Sequence, residues 1–185
     1  MEKSRCLWAK GDELMIAYHD TEWGEPVYNE QRLFEFLSLE GMQAGLSWSC
    51  ILKKREAYRE AFYQFNLEKV AKMNDDDVEK LMLNEGIVRN RLKIKSIIKN
   101  AQTWLKIAQN ESVVEKLWSF VGGEPIYNCY QSDTDVPAAN KDATLLSQWL
   151  KSEGFSFVGP VICYAFMQAT GMVDDHVKNC FKYKK

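Results

Sequence analysis

The sequence has few of the features that mark membrane or secreted proteins. Its apolar runs all fall well short of a membrane span. No apolar run follows the first residues, so we expect no secretory signal, no membrane partner and a cytoplasmic location. The net charge of −2 lacks the basic excess of histone-like DNA binders, although a local basic patch can still bind nucleic acid.

Cysteine and histidine are also scarce, with five cysteines and two histidines in 185 residues. Cysteines this few in a chain of this length do not predict a disulfide framework, and in a reducing compartment they are core thiols or metal ligands. No four of them are closely spaced, which argues against an iron–sulfur cluster. A His-Glu-x-x-His pattern is absent, so nothing indicates a catalytic zinc.

Long alternating runs are missing too, and helical periodicity takes their place. An apolar fraction of 46% with six tryptophans is enough for the core of one domain, of two lobes at most. No internal repeat is present. We therefore predict an all-α fold. Helices are predicted at 31–39, 47–62, 66–71, 75–86, 90–108, 112–121, 142–153 and 160–170, with a last turn from Asp174 that holds His176 and Cys180.

The stretch 39–48, Leu-Glu-Gly-Met-Gln-Ala-Gly-Leu-Ser-Trp, contains a carboxylate in an unusual place. Glu40 lies four residues after Phe36 and three after Leu37, so a continuous helix puts it on their apolar face. A carboxylate there must be paired, shifted in pKa or in use. Alternatively the helix ends before Gly41 and Glu40 turns to solvent, and periodicity alone leaves both possibilities open.

Each histidine has a cysteine in its neighbourhood. His176 and Cys180 are four residues apart, and Cys6 and His19 lie near the other terminus. Together they make a Cys₂His₂ set, which suits a structural zinc with no open coordination position. Asp175 is a candidate partner for a ligating histidine. The alternative is two unrelated polar residues and a buried thiol.

A row of basic residues follows a short glycine-containing turn between two predicted helices. In the segment 81–95, Gly86 marks the turn, and Arg89, Arg91, Lys93 and Lys95 follow it. Turn amides and a helix N-terminus favour a phosphate. Basic residues that alternate with apolar ones are equally common on a solvated helix, so the row by itself does not establish DNA binding.

Several motifs, in order and spacing, resemble the bacterial 3-methyladenine DNA glycosylase I family of the helix-hairpin-helix glycosylase superfamily. The resemblance runs over residues 6–180. The matching segments are Ala17-Tyr18-His19-Asp20 with Glu22-Trp23-Gly24, Leu39-Glu40-Gly41 with Gln43-Ala44-Gly45-Leu46-Ser47-Trp48, Leu52-Lys53-Lys54-Arg55, Trp118-Ser119-Phe120-Val121, Gly154-Phe155 with Phe157-Val158-Gly159, and Asp175-His176.

This resemblance implies a role for each part of the chain. The implied fold is one glycosylase domain of two lobes over 1–185, with the helix-hairpin-helix region at about 76–109 and a zinc ion that joins the termini 1–28 and 172–185. The implied residues are Glu40 for recognition of the excised adenine, Tyr18, Trp48, Trp8 and Trp23 around the base, Gly45 and Leu46 as the wedge in the DNA, Gly86, Arg89, Arg91 and Lys93 on the DNA backbone, and Cys6, His19, His176 and Cys180 as zinc ligands.

The implied reaction is hydrolysis of the N-glycosidic bond of 3-methyladenine in alkylated double-stranded DNA by a monomeric, monofunctional enzyme. No aspartate occurs between Asp77 and Asp133, which agrees with a family that works on an already activated cationic base. Met15 and Ala165 depart from the residues of a well-studied relative. Alternatives are a glycosylase for another lesion such as 7-methylguanine, a zinc-stabilised DNA-binding module without catalysis, and a helical scaffold.

Overall fold

The structure, a computed structural model, describes residues 3–184 and is mostly helical, as the periodicity predicts. Short 3₁₀ turns cover Leu7–Ala9, Tyr63–Phe65 and Asp133–Asp135. The α-helices are α1 Glu13–Thr21, α2 Glu30–Gln43, α3 Trp48–Lys53, α4 Arg55–Ala61, α5 Leu67–Ala71, α6 Asp75–Met82, α7 Arg91–Ala108, α8 Val113–Ser119, α9 Lys141–Glu153 and α10 Pro160–Ala169.

Polar side chains begin most of these helices. Ser47, Asn66, Asn90 and Ser112 cap α3, α5, α7 and α8, each by accepting a hydrogen bond from the backbone N–H three residues later. Asparagines, Asn74 and Asn140, cap α6 and α9 in the same way. The predicted helix 47–62 is divided at Lys54 into α3 and α4.

Helix α2 is the central element of the core, and it is longer than predicted. Every residue from Leu33 to Met42 is buried, and the helix packs against α3, α7, α8 and α10. It continues through Gly41, where an added Cβ would lie 3.4 Å from the Cβ of Phe157. A glycine therefore allows the loop before α10 to pack directly on α2, and Glu40 remains inside the molecule.

A buried ion network holds α1, α2 and α4 together. Arg55 donates to Glu22 at the end of α1 and to Glu35 on α2, at 2.8–2.9 Å. Arg32 donates to both glutamates, and Arg59 donates to Glu35. The arginines lower the pKa of Glu22 against the opposing effect of burial. Buried charges that are paired in this way fix the relative positions of three helices.

The C-terminal segment differs from the prediction. Val173–Asp174 forms a two-residue strand, β2, that pairs in parallel with β1, Ile126–Tyr127. The helical turn predicted from Asp174 is wrong, since residues 175–180 form an irregular segment and bends. The backbone groups of residues 172–174 bond to β1 instead of to a following helix turn. Within residues 3–184, none of the helices combines the length and the apolar character that crossing a membrane requires.

Candidate active site

The predicted base-contacting residues all line one cavity of about 730 Å³. Helix α1 contributes Met15 and Tyr18, α2 contributes Glu40 and α3 contributes Trp48. Trp8 comes from the 3₁₀ turn Leu7–Ala9, and Trp23 comes from the turn after α1. Both positions at which the sequence departs from a relative, Met15 and Ala165, face this cavity.

Aromatic rings form much of the cavity wall. The Tyr18 and Trp48 rings are tilted at 49° with their centroids 5.3 Å apart. Trp8 meets Trp23 edge to face at 5.0 Å. Faces arranged in this way can enclose a planar ring and are attractive to a cation.

Glu40 is the buried acid of this cavity. It is 3% exposed, and its Oε2 has no hydrogen-bond partner among residues 3–184. Burial raises its pKa from 4.5 to about 8, which favours the protonated carboxyl group at neutral pH. The alternative in which Glu40 turns to solvent is wrong. Trp48 Nε1 is a second buried polar atom without a partner in the described chain.

Tyr18 stays a neutral phenol. Burial, reinforced by the neighbouring charge of Glu40, raises its pKa well above 10. Its hydroxyl group is therefore a hydrogen-bond donor and acceptor at neutral pH. The cavity therefore combines an aromatic wall with the buried carboxyl group of Glu40.

A second carboxylate, Asp175, also lines the cavity. It accepts hydrogen bonds from Tyr164 at 2.7 Å, Gln168 at 2.8 Å and Asn128 at 2.7 Å. These three donors fix the position of the carboxyl group in the cavity wall. The prediction that Asp175 supports a ligating histidine is wrong. Asp174 has that position, with Oδ1 at 2.6 Å from His176 Nδ1.

Of one wall of the cavity, sequence reasoning identified only Ala165. Val161, Tyr164, Ala165 and Gln168 line it from α10, and their spacing of three, four and seven residues is one helical stripe. Tyr164 and Gln168 are polar residues four positions apart on a mostly apolar helix. This pattern is a sequence signal from which the wall could have been predicted. The loop 133–138 also contributes, and its sequence contains no comparable signal.

Three predicted metal ligands meet behind the cavity. The ligand atoms of Cys6, His19 and Cys180 lie within 4.8 Å of one another, and all three residues are buried. Cys180 Sγ is 3.4 Å from His19 Nε2. The thiol of Cys6 donates to Cys180, which lowers the pKa of Cys180. Sulfur and imidazole donors at this separation are those that a tetrahedral zinc requires.

His176, the fourth predicted ligand, lies beside this trio. Its ring centroid is 5.0 Å from that of His19. Its Nε2 is buried and lacks a hydrogen-bond partner within the described residues. A carboxylate lies within hydrogen-bond distance of Nδ1 in each ring. Asp20 Oδ1 is 2.8 Å from Nδ1 of His19, and Asp174 bonds to Nδ1 of His176. The buried, unpartnered nitrogen and these carboxylate supports suit a metal-ligating role.

The turn after α2 places an apolar side chain on the surface near the cavity. The helix ends at Gln43, and Gly45 takes a φ of +79°, which favours glycine. Leu46 N–H donates to Gln43 O at 2.6 Å, and the Leu46 side chain is 42% exposed. Ser47 then caps α3. The predicted wedge is thus a short turn between two helices that both line the cavity.

A turn that contains Gly86 joins α6 to α7. The Gly86 amide donates to Asn84 Oδ1 at 2.8 Å and so is not offered to a phosphate. A Cβ on Gly86 would lie 2.8 Å from that of Ala57, which explains the glycine. Arg89 and Arg91 are exposed and pair with Glu85 and Glu79.

The structure contradicts the prediction that Lys93 contacts the DNA backbone. Lys93 is 6% exposed, and its Nζ donates to the carbonyl oxygens of Met42 at 2.8 Å and Ala44 at 2.6 Å. An ammonium group enclosed in this way cannot reach a phosphate. Lys53 forms an ion pair with Asp12, and Lys54 donates to the carbonyls of residues 85 and 86.

Comparison with known proteins places the chain in a family. The model of the methyladenine glycosylase family matches residues 8–183. This chain belongs to that family. The sequence is 49% identical over 180 residues to DNA-3-methyladenine glycosylase 1 of Escherichia coli strain K12, with 97% of this chain and 96% of that protein covered.

Solved structures of the same family have the same fold. The crystal structure of a 3-methyladenine DNA glycosylase I is 48% identical, covers 98% of this chain and all of the other, and has a TM-score of 0.96. A tyrosine-to-phenylalanine variant of 3-methyladenine DNA glycosylase I, in complex with 3-methyladenine, is 43% identical with a TM-score of 0.94 and 98% of both chains covered. The family indicated by the sequence motifs is thereby confirmed.

Proposed function

We propose that this chain is a DNA-3-methyladenine glycosylase. It hydrolyses the N-glycosidic bond of 3-methyladenine in alkylated DNA, releases the free base and leaves an abasic site. The relatives that carry this name support the proposal. The observation that carries it is the buried, unpaired carboxyl group of Glu40 in an aromatic cavity.

The chemistry of the lesion accounts for this arrangement. Methylation at N3 makes the adenine a cation and hence a good leaving group. As the cation enters, it favours the ionised form of Glu40, which then accepts hydrogen bonds with its full charge. The faces of Tyr18 and Trp48 add cation–π attraction. A normal base lacks the charge and leaves Glu40 buried and unpaired, which is unfavourable.

Glu40 thus recognises the base, and water attacks C1′ of the sugar. The enzyme is monofunctional, since the mechanism requires no amine that forms a covalent bond with the sugar. The surface before α3 supplies the wedge, Gly45 and Leu46. The hairpin within residues 76–109 contacts the backbone of double-stranded DNA through Arg89 and Arg91. The chain acts as a monomer of two lobes in the cytoplasm.

Release of methylated bases from alkylated DNA tests the function. We expect wild-type protein to release 3-methyladenine and to leave 7-methylguanine in the DNA. Glu40→Gln keeps the shape but loses the charge, so we expect its kcat/KM to fall by roughly 10- to 100-fold, as for loss of a hydrogen bond to a charged group. Glu13→Gln, at an exposed glutamate on α1, is the matched control. Equal rates for the Glu40→Gln and wild-type proteins would contradict the role of Glu40.

We also propose that Cys6, His19, His176 and Cys180 hold one structural zinc. The ion supplies no catalytic chemistry, because four protein ligands leave no open position. The close packing of the first three ligand atoms and the unpartnered Nε2 of His176 support this assignment. The site connects the segments 1–28 and 172–185; Met1, Glu2 and Lys185 lie outside the described residues.

A further inference from the structure

Lys93 is a cation in a position that its own helix disfavours. It is the third residue of α7, where the positive end of the helix dipole repels an ammonium group. Burial also lowers its pKa. Neither effect stabilises a lysine here, so the stabilising contribution must come from its partners on α2.

Those partners lie at the end of α2, where the backbone carbonyls have no N–H donor within the helix. Lys93 Nζ donates to Met42 O and Ala44 O. A cation at a helix C-terminus also complements the negative end of the dipole. The C-cap Ala44 leaves the helix abruptly, at φ −46° and ψ 113°, so these two bonds fix the direction in which the chain leaves α2.

The two residues after Ala44 are Gly45 and Leu46, the proposed wedge. Lys93 lies seven residues after Gly86, which is in the hairpin turn. Its side chain therefore connects the element that meets the DNA backbone with the turn that enters the duplex. The sequence separation of the two partners is about 50 residues, so the connection exists only in the folded protein.

We propose that Lys93 is a positioning residue, which fixes the Gly45–Leu46 turn to the first turn of α7. Docking of the hairpin on the DNA backbone and insertion of Leu46 then occur as one rigid movement. The inference rests on the proposed glycosylase function. In this role Lys93 bonds to carbonyl groups inside the protein and not, as its place in the basic row had suggested, to a DNA phosphate.

Glycosylase kinetics on duplex DNA with 3-methyladenine, together with binding of the free base, test the proposal. For Lys93→Met we expect kcat/KM on duplex to fall by about 10- to 100-fold, the effect of misplacing a group by about 1 Å. Affinity for free 3-methyladenine stays at the wild-type value, since Lys93 does not line the cavity. The dependence of DNA binding on salt also stays unchanged, whereas loss of a phosphate contact lowers its slope by about one.

Two further variants separate positioning from general effects. Lys106→Met removes an exposed lysine near the other end of α7, and we expect wild-type kinetics. Lys93→Arg keeps a cation that can donate to both carbonyls, so we expect a smaller loss than for Lys93→Met. If Lys93→Met does not fold, Lys93→Arg takes its place in every measurement, with the smaller loss as the expected result. A folded Lys93→Met protein that no longer binds the free base would overturn the proposal.

A double-mutant cycle with Leu46→Ala decides whether Lys93 acts through the wedge. In the Leu46→Ala protein, we expect Lys93→Met to lower kcat/KM on duplex DNA by less than threefold, since the two changes remove the same function. Additive losses, wild-type kinetics for Lys93→Met, or a lower salt slope would each overturn the proposal. Failure of the wild-type protein to release 3-methyladenine would instead contradict the proposed function.

Discussion

For single residues, burial determines the chemical form in which each group meets the substrate. Glu40 is enclosed without a counter-charge, and burial raises its pKa to about 8. Asp175 lines the same cavity and accepts three hydrogen bonds, whereas Oε2 of Glu40 has no partner among the described residues. In the proposed function, Glu40 is the group whose charge responds to a cationic base.

The raised pKa of Glu40 predicts a specific dependence of stability on pH. Unfolded Glu40 ionises near pH 4.5, and folded Glu40 ionises near pH 8. Between these values the folded state binds more protons, so the free energy of unfolding falls as pH rises, by up to about 1.4 kcal/mol per unit. Glu40→Gln removes this term. We expect the variant to gain stability relative to wild type from pH 5 to pH 8.

Urea unfolding at pH 5, 6.5 and 8 measures this difference. Titration of the metal ligands affects both proteins equally and cancels in the comparison. Glu13→Gln, which changes an exposed carboxylate, should give a profile parallel to wild type. Parallel profiles for Glu40→Gln and wild type would show that Glu40 is ionised in the folded protein.

For the secondary-structure elements, the end of α2 is the decisive feature. The helix positions Glu40 in the cavity one turn before it ends, and the next four residues contain the exposed Leu46. Helix α3 then begins with Trp48, which returns to the cavity. One helix, one turn and one helix start thus supply the three groups that we propose accept the base, form the wedge and stack on the base.

Leu46→Ala tests the wedge separately from the base pocket. A wedge stabilises the gap in a duplex from which a nucleotide is flipped, and single strands have no such gap. We expect the rate on duplex to fall by about tenfold and the rate on single-stranded DNA to change little. Leu145→Ala is the matched control, because Leu145 is 44% exposed and Leu46 is 42% exposed. Equal losses on both substrates would argue against a wedge.

For the whole molecule, the cysteine–histidine cluster connects the two ends of the described chain. Cys6 and His19 come from the N-terminal segment, and His176 and Cys180 come from the C-terminal one. His19 directly follows Tyr18, a wall of the cavity, and His176 directly follows Asp175. A metal in the cluster therefore stabilises the fold and two sides of the base pocket together.

Metal analysis and thermal unfolding test this arrangement. We expect purified protein to contain about one zinc per chain, as for one Cys₂His₂ site. Cys6→Ala should lose the metal and lower the midpoint of thermal unfolding by roughly 10 °C, or about 3 kcal/mol for a chain of this size. Cys129→Ala, at an exposed cysteine outside the cluster, should retain both. Metal-free protein of unchanged stability would contradict the zinc assignment.

The sequence by itself determined the helical class, most helix starts and the family. These properties depend on local spacing, on capping side chains such as Asn90 and Ser112, and on motifs of contiguous residues. It also grouped Tyr18, Glu40 and Trp48 through the family resemblance. Periodicity alone placed Glu40 on an apolar face but left its exposure undecided, because exposure depends on what packs against that face.

Only the tertiary structure decided the positions that depend on distant partners. Lys93 belongs to a basic row in the sequence, yet it is buried, since the carbonyls that bind it come from a helix end about 50 residues away. Asp174 rather than Asp175 supports His176, because the Asp175 carboxylate instead accepts hydrogen bonds from Tyr164, Gln168 and Asn128. Local spacing carries no information about such partners, since folding alone brings them together.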